Sequence, residues 1–266
     1  MKRTNQTANE KVVLVTGGTG GIGKAIAAAF LRIGERVYIT GRKEKTLEKA
    51  RNELSQISKR IDMIKGDVSR TADCRNIVNT LINQEKRLDI LINCAGICYE
   101  KYIEDVSEKD WELMINTNLR GPFFLIKYAV PYLSESKGCV VNVGSTAGVM
   151  GFDADSVYCA SKGGLTLMTK ALAFECARHG IRINIVSPDM VKTDMLDEGF
   201  TRSKMDNRAE YDRMKLANYP QSEDDVRFIT PEDVAKSVMF LAYNDCSETI
   251  TGANLIMDFG LTAGRF

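Results

Sequence analysis

"VTGGTGGIGKA", residues 15–25, carries two phosphate-binding spellings that exclude each other. Gly18, Gly20 and Gly23 give the dinucleotide pattern G-x-G-x-x-G, whereas Gly18 through Lys24 give G-x-x-x-x-G-K, nearly the loop of ATP- and GTP-hydrolysing proteins. The hydrolase loop needs a hydroxyl directly after its lysine to hold magnesium, and here Ala25 follows Lys24. It also needs an apolar strand ending in Asp for the same ion, but the apolar runs of this chain end in Thr40, Asn93 and Ser145 or Ser187. The dinucleotide reading needs a strand before the glycines and a helix after them. "KVVLVT" (11–16) supplies the strand. "GIGKAIAAAFLRIG" (21–34) supplies the helix, with Ile22, Ile26, Ala29, Phe30 and Ile33 on one stripe and Gly34 as a stop signal. Amides at the start of such a helix face a pyrophosphate, and glycines let backbone and phosphate approach closely.

Outward from this stretch the same rhythm continues. "RVYIT" (36–40), "IDMIKG" (61–66), "LDILINCAG" (88–96), "GCVVNVGS" (138–145), "IRINIVSP" (181–188) and "NLIMDFG" (254–260) read as further strands, with helix-length segments between them. The alternation predicts a doubly wound, Rossmann-like α/β fold: a mostly parallel seven-stranded sheet with helices on both faces. No linker or repeat interrupts it, so the 266 residues, 44% hydrophobic, are read as a single domain spanning 1–266. From Asp194 to Arg227 the chain is long and charged, contains Met195, Met205 and Met214, and has no strand of its own. An insertion there sits at the carboxyl ends of the strands, where ligands bind, and 194–227 is read as a substrate lid.

Thirty-six basic and thirty-five acidic residues leave a net charge of +1, and the basic runs are interleaved with acids or apolar residues. This balance argues against a nucleic-acid surface. The amino terminus is polar to Glu10 and then apolar for only a few residues, too short for a secretory signal or a membrane span. The expectation is a flexible polar tail over 1–10, a cytoplasmic location and no membrane partner. Seven cysteines are scattered without a C-x-x-C pair beside a single histidine, which predicts buried free thiols and no metal site. His179, in "ARHGIRIN", falls between a helix end and a strand, where a cation is favourable on its own account.

In full, "TGGTGGIG" fits T-G-x-x-x-G-x-G through Thr16, Gly17, Gly21 and Gly23. Further along, "NCAG" (93–96) matches N-N-A-G, "NTNLRG" (116–121) an N-x-x-G helix motif, "GSTAG" (144–148) a serine strand end, and "YCASK" (158–162) Y-x-x-x-K. In these motifs the chain resembles the classical short-chain dehydrogenases and reductases over nearly its full length. It departs from them at Cys94, where the second Asn would stand, and at Asp189 in "PDMVKT" (188–193), where Gly is usual.

Tyr158 and Lys162 are four residues apart, so on a helix they project from one face. Tyr211 and Lys215 share the spacing inside the expected lid, where a surface pair explains them; the first pair instead opens an amphipathic helix thirteen residues after Ser145. Carbonyl reduction needs an acid beside the carbonyl oxygen, and a nearby ammonium is expected to lower the phenol's ordinary pKa of about 10 towards the working pH. The resemblance implies Tyr158 as general acid and base, Lys162 as its partner and a ligand of the nicotinamide ribose, Ser145 on the substrate oxygen, and Asn118 in a proton relay. Asn116 competes for the last role; Leu119 and Gly121 favour Asn118.

For the cofactor, the resemblance assigns Thr16, Gly17, Thr19, Gly20, Gly21, Ile22 and Gly23 in the loop, Asp67 and Val68 beside the adenine, Asn93, Ala95 and Gly96 in the floor, and Pro188, Val191 and Thr193 beyond the sixth strand. An NAD site usually ends its second strand in a carboxylate, but Thr40-Gly41-Arg42-Lys43 stand there. A missing carboxylate removes repulsion of a 2′-phosphate and Arg42 can grip it, so NADP(H) is preferred over NAD(H), with Lys43 in support. The expected activity interconverts a small-molecule secondary alcohol and ketone. Ile97, Cys98, Met150, Phe152, Met190 and the lid methionines would form an apolar pocket suited to a steroid-like or 3-oxoacyl substrate. The alternative is a non-catalytic dinucleotide-binding regulator of the same fold. A homotetramer, with "MDFGLTAGRF" (257–266) as a contact, is expected by resemblance.

Overall fold

Short runs rich in valine, isoleucine and leucine, each too brief for a helix and most of them buried on both sides, form β1 (Val12–Val15), β2 (Arg36–Gly41), β3 (Ile61–Lys65), β4 (Ile90–Asn93), β5 (Cys139–Val143), β6 (Arg182–Pro188) and β7 (Asn254–Met257). In the computed structural model, which describes residues 10–194, 196–197, 201, 207, 212, 227–243 and 245–264, these strands form one seven-stranded sheet in the order β3-β2-β1-β4-β5-β6-β7. Every pairing is parallel. Parallel neighbours require crossovers, and among the described residues these are α1 (Gly21–Arg32), α2 (Glu44–Leu54), α3 (Thr71–Glu85), α4 (Glu108–Ile115), α5 (Gly121–Ser136), α6 (Ser156–Ala177) and α7 (Pro231–Tyr243).

Alternation along each strand divides the core. Val13, Val15, Ile39, Ile92 and Val141 pack with Ile26, Phe30, Leu47 and Val238 from α1, α2 and α7. Val12, Leu14, Leu91, Val140 and Ile183 pack on the other face with Ile77, Leu81, Leu125 and Leu172 from α3, α5 and α6. With both faces covered, the strand ends are the places left for a ligand. The order reverses at β1, between β2 and β4, which opens a crevice at the carboxyl ends there.

The α1 stripe is shorter than the periodicity implies. Ile26 and Phe30 are fully buried, but Ile33 is 53% exposed. The helix stops at Arg32, and Gly34, at φ +91°, turns the chain away before a further turn can bury residue 33. The tail expected over 1–10 and the lid expected over 194–227 lie outside the described residues, apart from Glu10 and a few isolated positions.

Candidate active site

Thr16 closes β1 and ties it to β4: its hydroxyl donates to the Ile92 carbonyl (3.3 Å) and accepts from the amides of Cys94 and Ala95 (3.0 and 3.1 Å). The glycine loop then leaves the sheet. A Cβ on Gly23 would lie 2.3 Å from the Gly17 carbonyl oxygen, so loop and helix meet backbone to backbone, where no side chain fits. Gly20 differs, because the nearest atom to a Cβ there is Asp194 Oδ2 at 3.9 Å. That gap lies in front of α1, whose first-turn amides have no acceptor within their own helix. Space, amides and helix dipole together fit a pyrophosphate.

A cavity of about 530 Å³ runs from this loop across the ends of β1, β4 and β5. Gly17, Thr19, Gly20, Gly21, Ile22 and Gly23 line it, followed by Arg42, Asp67 and Val68 at one end and Ala95 and Gly96 in the floor. Pro188, Val191 and Thr193 form the wall beyond β6. Thr16, Lys43, Asn93, Asn118 and Lys162 do not line it. Thr16 is buried beneath the loop. Lys43 is exposed at the start of α2. Asn93, the last residue of β4, turns inside the sheet and donates from Nδ2 to Asn142 Oδ1 (2.9 Å), so the floor begins at Cys94 rather than Asn93. Burial pushes the Cys94 thiol up to about 12, keeping this replacement of Asn uncharged.

At the other end α6 brings Tyr158 and Lys162 together on adjacent turns. Lys162 Nζ lies 5.7 Å from the centre of the Tyr158 ring and donates to the Val143 carbonyl at 2.9 Å. Ser145 follows β5 in an extended conformation, and its Oγ accepts from the Ala147 amide at 3.2 Å. Ser145 and Tyr158 line the cavity. Behind them a single π turn, Asn116–Arg120, joins α4 to α5 and points the two asparagines differently. Asn118 is buried: its Oδ1 accepts from the Ile97 amide (2.9 Å) and its Nδ2 donates to the Ile97 carbonyl (2.8 Å) and to Ser161 Oγ (3.1 Å). Asn116 instead accepts from Arg120 in an exposed bond. A Cβ on Gly96 would be 3.4 Å from Asn118 Oδ1 and 3.7 Å from Lys162 Nζ, so this glycine faces both polar tips at ordinary contact distance.

Electrostatics at this corner differ from the sequence expectation. Burial pushes the Tyr158 phenol up, the nearby Cys98 thiol adds to the rise, and the Ser145 hydroxyl opposes it. Burial also pulls the Lys162 ammonium down to about 8. The expected acidification of the phenol by lysine is therefore outweighed, since the same desolvation penalises phenolate and ammonium.

Of the residues expected against a substrate, Ile97, Cys98, Phe152 and Met190 line the cavity and Met150 does not. The turn that begins at Thr146 carries Met150 outwards, to a separate hollow of about 360 Å³ with Val149, Ile256 and Leu261. The lid methionines and the Tyr211–Lys215 pair lie outside the described residues. Thr146, Ala147 and Asp155 also line the cavity and went unmarked in the sequence. Their adjacency to Ser145 and Tyr158 was the available signal. Not all the thiols are buried as expected: Cys74, Cys139 and Cys176 are, whereas Cys94, Cys98 and Cys159 are half-buried, and none of these six is in a disulfide. His179 sits just past α6, away from the cavity lining. Among the described residues no helix is long and apolar enough to cross a membrane, and no three His, Cys, Asp or Glu side chains gather as a metal site.

Comparison with known proteins agrees with the motifs. Residues 11–204 match the family model described as short chain dehydrogenase. The chain is 33% identical over 258 residues to glucose and ribitol dehydrogenase homolog 2 of Arabidopsis thaliana, covering 94% of this chain and 85% of that protein. It is 32% identical over 252 residues to the 3-oxoacyl-[acyl-carrier-protein] reductase FabG of Thermotoga maritima, covering 94% and 97%. The solved structure of ElxO with NADP bound superposes with a TM-score of 0.86 at 31% identity, covering 96% of this chain and all of that one. With the glycine loop, the Tyr158–Lys162 pair and the parallel sheet all in place, the chain belongs to the short-chain dehydrogenase family.

Proposed function

We propose that this oxidoreductase interconverts a secondary alcohol and a ketone with NADP(H), using Tyr158 as the proton donor and acceptor. The observation that carries the reading is that Ser145 and Tyr158 line one end of a cavity whose other end is the glycine loop, with the buried Lys162 and Asn118 set directly behind them. A bound nicotinamide supplies and accepts the hydride. The protein's part is to bind, orient and manage one proton. In reduction, Ser145 donates a hydrogen bond to the ketone oxygen, and Tyr158 releases its proton to that oxygen as it becomes an alkoxide. Because burial holds the phenol protonated at neutral pH, Tyr158 is ready as an acid. Oxidation needs the phenolate, which Lys162 stabilises when charged. Asn118 fixes the Ile97 backbone beside Lys162 and marks the inner end of a proton path.

Preference for NADP(H) over NAD(H) draws support from Arg42 at the cavity edge, where β2 ends in Gly41 rather than a carboxylate, and from the NADP bound to ElxO. Ile97, Phe152 and Met190 give an apolar wall for a steroid-like or 3-oxoacyl substrate. Cytoplasmic residence and a homotetramer using 257–266 complete the proposal; Ile256 and Phe259, 36% and 37% exposed, leave apolar surface at that end. A panel of ketones and alcohols, run with NADPH and NADH side by side, tests the function. Turnover favouring NADPH is expected. Cofactor binding without turnover of any substrate, and with Tyr158→Phe indistinguishable from the wild type, would instead describe a regulator.

A further inference from the structure

Two loops meet above the ends of β5 and β6. Val143 pairs with Val186, and the Gly144 amide continues onto the Val186 carbonyl at 2.7 Å, so the turn after Ser145 and the segment from Asp189 leave the sheet side by side. Across the gap the Thr146 hydroxyl donates to Asp189 Oδ1 at 2.6 Å, and Thr146 is completely buried. A hydroxyl given to a carboxylate, here at the half-buried cavity wall, is a charge-assisted, directional bond. Both ends of this bond are fixed to the scaffold. The Asp189 amide donates to the Met257 carbonyl of β7 (3.0 Å), and the neighbouring Met190 carbonyl accepts from Ile229 (3.0 Å). The Thr146 carbonyl accepts from the amides of Val149 and Met150 (2.9 and 3.0 Å), so Thr146 organises the turn it begins. That turn supplies the Ala147 amide to Ser145 Oγ, which leaves the serine hydrogen for an oxygen in the cavity.

We infer that Asp189 is a positioning residue: through Thr146 it sets where the Ser145 hydroxyl points relative to the cofactor-facing loop that Asp189 itself begins. The inference rests on the reading of Ser145 as the group that holds the substrate oxygen. The bond joins the two walls of the cavity, since Ser145 lies on one and Met190 and Val191 on the other. Loss of the bond lets the serine drift without emptying the cofactor site.

The test pairs kinetics with crystallography on Asp189→Ala, Asp189→Asn, Thr146→Val and the Asp189→Ala/Thr146→Val double variant. Single-turnover hydride transfer from NADPH to a ketone should slow on the order of 100-fold in Asp189→Ala and in Thr146→Val, as expected for misplacement by about an ångström. The double variant should be no slower than either single one, because the two changes remove the same bond. Asp189→Asn, which keeps an acceptor oxygen, should recover most of the rate, and NADPH binding should be retained throughout, because the glycine loop at the other end of the cavity is unchanged. Additive losses, an Asn variant as slow as Ala at unchanged melting temperature, or NADPH affinity falling in step with the rate would each overturn the inference. Crystals of the wild type and Thr146→Val decide it without any turnover. A displaced or rotated Ser145 Oγ supports it, and a superposable one overturns it. Failure of the functional reading would show separately, as a wild-type protein that reduces nothing.

Discussion

Lys162 Nζ donates to the Val143 carbonyl at 2.9 Å while lying 5.7 Å from the centre of the Tyr158 ring, so one turn of α6 carries a buried amine and a half-buried phenol into the same corner. Each is held towards its neutral form by loss of water. On the proposed mechanism, catalysis at this corner begins from a protonated phenol whose charged form is costly, and that fixes the sign of several measurable quantities.

The first is stability against pH. Lys162 is pulled from 10.5 down to about 8 in the folded protein. The unfolded chain therefore binds more protons between those values, and stability rises with pH across that window; below about pH 8 the cost of the buried charge is carried in full. Urea unfolding of the wild type and of Lys162→Met should show the variant gaining relative stability at pH 7. That advantage should shrink by on the order of 3 kcal/mol by pH 10.5, the size of a shift of this extent.

Activity against pH separates the two directions. If Tyr158 is the proton donor and acceptor, as proposed, ketone reduction uses the protonated phenol and should be flat through neutrality, because burial holds Tyr158 above its ordinary value. Alcohol oxidation uses the phenolate and should climb steadily into the alkaline range. Initial rates in both directions from pH 6 to 10 check this, and an oxidation rate that peaks near neutrality would contradict it.

Two glycines of one loop should respond differently to the same methyl group. At Gly23 a Cβ meets the Gly17 carbonyl oxygen at 2.3 Å, a backbone contact that cannot move cheaply. Gly23→Ala should lower stability by about 1–3 kcal/mol and weaken cofactor binding with it. At Gly20 the nearest atom is 3.9 Å away. Gly20→Ala should melt like the wild type yet bind NADPH less tightly, because the methyl group occupies the approach of the phosphates. Thermal melts and NADPH fluorescence titrations of both variants distinguish the effects.

Arg42 is the cofactor discriminator in this account. Removing a guanidinium that holds a phosphate costs about 1.5–3 kcal/mol, so Arg42→Ala should weaken NADPH binding by roughly 10- to 150-fold. NADH, lacking the 2′-phosphate, should bind about as before. Equal losses for both cofactors would remove Arg42 from the phosphate site.

The glycine loop was legible because its residues meet constraints local in sequence: a strand must end, a helix must begin, and Cβ atoms must be missing where backbones touch. The same holds for the sheet, whose apolar runs match the observed strands to within a few residues. Legibility failed where side-chain direction depends on tertiary context. Ile33 obeys the helical period but falls beyond the helix end. Met150 is close to Ser145 in the chain, yet the turn at Thr146 throws it to the other side. Asn93 lies in the right motif and points into the sheet. The Thr146–Asp189 bond joins residues 43 apart, and no pattern in either segment announces it. Charge was the least legible property, because whether Lys162 acidifies Tyr158 depends on how much water reaches both groups.

The central claim is that Tyr158 delivers the proton, and removal of its hydroxyl alone tests it most directly. Single-turnover oxidation of NADPH by Tyr158→Phe, with a ketone the wild type reduces, should be slower by about 100- to 10,000-fold, the contribution of a positioned general acid. NADPH affinity and melting temperature should be retained. Hydride transfer at the wild-type rate in a folded, NADPH-bound Tyr158→Phe protein would contradict the account.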